Sequence, residues 1–94
     1  MDQMAMLTAL KTDLGFKTAA YDNRLVQILD GAAALIAREG AALDTTGSAE
    51  DAELVVMYAE FLWTQRRDPK AEMPRMLRWA LNNRVFGGVM GAAT

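Results

Sequence analysis

The chain has 94 residues, of which 52% are hydrophobic and 23% charged, with a formal net charge of -2. One domain is expected, and a domain this short buries only about two-thirds of the surface of its unfolded chain. Cysteine and histidine are both absent, which excludes disulfides, thiolate metal sites and cysteine nucleophiles, and removes the commonest general base and transition-metal ligand.

The first predicted helix covers residues 2–14. Leu7, Leu10 and Leu14 recur at spacings of three and four, which places them on one face. Asp2 suits the positive end of the helix dipole, and Gly15 suits a left-handed stop, with Phe16 folding back onto the apolar face. A second helix is expected over residues 19–39, with Thr18 as N-cap, Asp22 in its first turn and Gly40 closing it. Its stripe is Leu25, Ile28, Leu29, Ala32, Leu35 and Ile36. Ala33, Ala34 and Ala37 beside it allow a neighbouring helix to approach closely. Gly31, inside the helix, costs about 1 kcal/mol relative to alanine.

Residues 41–47 have no period and read as a surface loop. Ser48 with Asp51 forms a capping-box-like start for a third helix, which ends in Arg66 and Arg67 before Pro69. Ala52, Val55, Val56, Ala59, Leu62 and Trp63 form its stripe, and Leu54, Met57, Tyr58 and Phe61 widen the apolar surface enough to face several neighbours. Residues 68–73 form a linker. Pro74 then opens a short fourth helix, with Met76, Leu77, Ala80 and Leu81 on its apolar face, Trp79 at the edge, and an end near Arg84. The fold expected is all-α: a small four-helix bundle of two long and two shorter helices over residues 1–84. An extended, flexible C-terminal tail over residues 85–94 (VFGGVMGAAT) follows. That tail is uncharged and glycine-rich, yet it carries Val85, Phe86, Val89 and Met90.

The charge is polarised along the chain. Residues 1–64 hold ten acids and four bases, whereas residues 65–94 hold six bases (Arg66, Arg67, Lys70, Arg75, Arg78, Arg84) and two acids. Chemistry has few footholds in this sequence. Glu50, Asp51 and Glu53 are explained by the start of a helix and do not match a calcium-loop spacing. Ser48 has no histidine partner, and no phosphate-binding glycine loop occurs. Neither catalysis nor a metal site is expected. The longest apolar run, residues 32–37, is far below the ~20 residues that span a bilayer. No signal-peptide pattern opens the chain, so a soluble protein made in the cytoplasm, with no membrane contact, is expected. The basic C-terminal third, with Trp63 and Trp79 interleaved, leaves a small DNA-binding or regulatory module as an alternative. Charge contacts between subunits are the other use of Arg66, Arg67, Arg75 and Arg78 against Glu50, Asp51 and Glu53. The core expected is Leu25, Ile28, Leu29, Leu35, Ile36, Val55, Val56 and Leu62.

Four stretches taken together carry a family resemblance: LKTDLGF (residues 10–16), RLVQILDGAAALIAREG (24–40), LVVMYAEFLWTQRRDP (54–69) and MPRMLRWALNNRVF (73–86). In this order they resemble the small head–tail connector (adaptor) proteins of tailed bacteriophages, over about residues 6–86. The third stretch, an apolar run with aromatics and then a basic turn, carries most of the likeness. The resemblance implies a non-enzymatic virion protein without cofactors, located at the neck. Such a protein forms a head-to-tail ring, a dodecamer, that joins the portal protein to the stopper or tail-completion protein. Genomic DNA passes through the ring without sequence-specific binding. The resemblance also implies a C-terminal segment that engages the portal, here Val85, Phe86, Val89 and Met90.

Overall fold

The computed structural model describes the backbone of residues 1–93 and the side chains of residues 1–86. Over this range the chain forms four helices and no strand: α1 (Gln3–Leu14), α2 (Asp22–Arg38), α3 (Ala49–Arg67) and α4 (Arg75–Ala93).

Helix starts and stops follow local chemistry in α1 and α3. The Asp2 carboxylate accepts the Ala5 amide at 2.8 Å, and Gly15 turns the chain out of α1 at φ 79°, a conformation that costs glycine nothing. Ser48 caps α3 by accepting the Asp51 amide at 3.2 Å. The start of α2 differs from expectation. Its N-cap is Tyr21 rather than Thr18, and no side chain caps it. Residues 16–21 instead serve an aromatic cluster: the Phe16 ring lies 5.1 Å from Tyr21 and 5.3 Å, edge-on, from Trp63 of α3. Such pairs contribute about 0.5–1.5 kcal/mol beyond burial. Lys11 Nζ, 2.8 Å from Asp22 Oδ1, ties the same corner back to α1.

The core is built on α3, which packs against each of the other helices. Leu25, Ile28, Leu29 and Ile36 of α2 are buried with Val55 and Val56 of α3, and Met6, Leu7 and Leu10 of α1 close the other side. Each leucine removed from water in this way stabilises the fold by roughly 1.5–3 kcal/mol. Leu35 and Leu62 were expected in the core but are half-buried at its margin. On α3 the expected Ala52, Val55, Val56 and Ala59 are buried, and Leu54 and Tyr58 are buried beside them, whereas Leu62 and Trp63 are not. Leu43 packs on the core from the 41–47 loop, and Ala41 is buried outright. That segment is therefore a packed connection rather than a free surface loop.

The fourth helix departs furthest from expectation. Leu77 and Leu81 are fully buried, but Met76 is 75% exposed and does not belong to the inward face. The helix does not end at Arg84: Val85 and Phe86 continue it, and Val85 packs on the core. Residues 85 and 86, expected in an extended tail, are thus helical. The side chains of Val89 and Met90, and residue 94 altogether, lie outside the described residues. Among the described residues no helix is long and apolar enough to cross a membrane.

Candidate interaction surface

A buried carboxylate anchors α4 to the body. Asp51 stands three residues after the cap Ser48, but it does not return to the Ser48 amide as a capping box requires; that amide donates to the Asp44 carbonyl at 2.8 Å. Asp51 turns inward, 3% exposed, and accepts Arg84 Nε at 2.7 Å, Arg84 Nη2 at 3.2 Å and the Asp44 amide at 2.8 Å. Arg84 also donates to the Ala42 carbonyl. One guanidinium thus joins α4, the 41–47 connection and the first turn of α3. The hydrogen bonds from Arg84 hold the Asp51 carboxyl below the ordinary carboxylate range, against the opposing effect of burial. A second tie runs from Arg78 Nη1 to Glu39 Oε1 at 2.8 Å. Asp51 and Arg78 were expected to make contacts between subunits. Both are paired within the chain, Asp51 buried and Arg78 still exposed.

With those two bases engaged, α4 has a second face. At about 100° per residue, Met76, Trp79, Asn83 and Phe86 share one side of the helix, roughly opposite Leu77 and Leu81. Met76, Trp79 and Phe86 are 75%, 69% and 64% exposed. Trp79 was placed at the edge of the inward face; it is at the centre of the outward one.

Alongside this face, α3 and α4 enclose a cleft of about 660 Å³, lined among others by Glu50, Glu53, Leu54, Met57, Trp79 and Asn83. Met57 also lines a second cleft of about 280 Å³, together with Glu60, Phe61, Glu72, Met76 and Leu77. The two clefts share Met57 and make up an α3–α4 crevice, with Leu54, Met57 and Phe61 in its apolar lining and Glu50, Glu53 and Glu60, at near-helical spacing, in its acidic lining. Burial, a hydrogen bond with Asp13 of α1, and the negative charges of Asp13 and Glu53 push Glu60 up to about 7. Neither the Asp13–Glu60 pair nor the Asp51–Arg84 pair was read from the sequence, because each joins residues far apart in the chain. The one available signal was a glutamate at position 60 inside an otherwise apolar stretch of α3.

The remaining predicted contact residues are scattered. Arg66, Arg67, Lys70 and Arg75 are exposed around the C-terminal end of α3 and the linker, with the Arg66 guanidinium 5.5 Å from the Trp63 ring centre. Glu50 and Glu53 are exposed at the opposite end of α3. Among the described residues no group of three or more acidic side chains is placed to hold a metal ion. No family model, curated protein or solved structure matches the chain.

Proposed function

We propose that this chain is a structural subunit of a tailed-phage neck: a helical connector that joins a ring of its own copies beneath the portal and continues the DNA channel toward the stopper. The observation that carries the reading is the two-sided α4. One face completes the core, while the opposite face leaves Met76, Trp79 and Phe86 in water. A cluster of large apolar side chains on a small domain is the ordinary mark of a surface that a partner covers. The family resemblance of residues 6–86 supplies the identity of that partner. Phe86 leads directly into residues 87–94, the part of the expected portal-docking segment that follows it.

The charge distribution supports assembly over direct DNA contact. Two of the six C-terminal bases, Arg78 and Arg84, are engaged by Glu39 and Asp51, which weakens the basic stripe that the DNA-binding alternative needs. The test is co-purification with a portal ring. The full chain should bind, Trp79→Ser with Phe86→Ser should not, and truncation after Phe86 should weaken attachment while leaving α1, α2 and α3 intact. Undiminished binding by both variants would remove the portal-docking reading. Strong, steeply salt-dependent binding to duplex DNA would favour the alternative.

A further inference from the structure

We infer that the α3–α4 crevice is the acceptor half of a self-contact, and that its occupant is the basic end of α3 from a second copy of this chain. The proposal rests on the assembly reading and names its surfaces. On the acceptor side, Glu50, Glu53 and Glu60 line the crevice together with the apolar Leu54, Met57 and Phe61. Arg84, which lines the same cleft, is engaged by Asp51, so the exposed glutamates are left without it. On the donor side, Arg66, Arg67, Lys70 and Arg75 are all exposed. Of these, Arg66 stacks against Trp63 and is presented on an aromatic support.

The spacing sets the mode of contact. Glu50 and Arg66 lie on one helix, about 24 Å apart at 1.5 Å per residue. Opposite charges at the two ends of a rigid rod cannot meet within a copy. They meet when the next copy is advanced along the rod. Reciprocated between two antiparallel copies, such a contact closes a two-fold dimer; made once per copy, it runs head to tail and closes into a ring wherever the rotation allows.

Sedimentation velocity and native mass spectrometry of the full chain, at high protein concentration and about 20 mM salt to limit screening, test the inference. Wild type should associate. Glu50→Lys with Glu53→Lys, and separately Arg66→Glu with Arg67→Glu, should each weaken association by about tenfold or more. An equimolar mixture of the two variants should recover it, because each reversed surface then meets its complement. If neither reversal alters wild-type association, the crevice is not the contact, although the assembly reading stands. If both reversals weaken association but the mixture does not recover, the pairing of these two surfaces is wrong. A wild-type chain that stays monomeric throughout overturns the self-contact and, with it, self-assembly of the isolated subunit. Should a charge variant fail to fold, the absence of native cysteine permits a second route. Asn83→Cys and Gln65→Cys chains, mixed and oxidised, should cross-link to each other. Only Asn83→Cys homodimers would overturn the inference.

Discussion

The body formed by α1, α2 and α3 and the outer helix α4 are held by different forces. In the body, each helix presents one apolar stripe inward and the stripes meet: Leu10, Leu25, Leu29, Ile36, Val55 and Val56 are all excluded from water. Among the described side chains of α4, apolar groups lie on two sides, only Leu77 and Leu81 are fully buried, and two arginines fasten the helix by ion pairs. Non-directional burial is thus sufficient to place the body, whereas α4 depends on specific polar partners distant in sequence.

This contrast is sharpest in core truncation. Leu25→Ala should cost about 2–5 kcal/mol in denaturant unfolding, while Leu62→Ala, at the half-buried margin, should cost clearly less. Equal losses would mean that the core is not centred where described. Arg84→Met should follow at roughly 3 kcal/mol, because it leaves the Asp51 carboxylate buried without its cation. The pH dependence has a defined sign. The lowered Asp51 value contributes stability that is present above the usual carboxylate range and lost as pH falls below 3.8. The variant should therefore show a flatter acid limb.

Glu60 acts in the opposite sense. Its folded value of about 7 against an ordinary 4.5 means that the native state holds the proton more tightly. Wild-type stability should fall as pH rises from 4.5 toward 7 and level off above it. Glu60→Gln should remove that slope and gain on the order of 1 kcal/mol at pH 8, after allowance for solvent screening. Gly31→Ala should stabilise by about 0.5–1 kcal/mol, since no heavy atom lies within 4 Å of the added methyl and helical glycine is entropically costly. Smallest of all, Trp79→Ser should shift stability by less than about 0.5 kcal/mol. A large loss there would show that the outer face of α4 is part of the fold rather than a surface for partners.

Much of the body was legible because its signals are local. Asp2, Gly15 and Ser48 act within one turn of where they stand, and the i, i+3, i+4 spacing of Leu25, Ile28, Leu29 and Ile36 needs no knowledge of the rest of the chain. Thr18 misled because the residues after it are recruited to the Phe16–Tyr21–Trp63 cluster, a demand set by α3 more than forty positions away. Met76 misled because α4 has apolar residues on both faces, and periodicity cannot say which face turns inward. Asp51 was read as a cap from its neighbour Ser48, when its partner is Arg84, brought near only by the packing of α4 on α3. Of the expected contact residues, Arg66, Arg67, Arg75, Glu50 and Glu53 remain exposed, and the cleft that Glu50 and Glu53 line emerges only when two helices are placed together.

The attachment of α4 chiefly through α3 has a kinetic consequence. Proteins open in cooperative units whose free energies track their buried contacts. Amide protection should therefore fall into two tiers, with positions 75–86 exchanging through a sub-global opening well before α2 and α3 exchange by complete unfolding. A helix that can lift away while its support stays folded gives the subunit a reversible joint, and Arg84 is the latch on it.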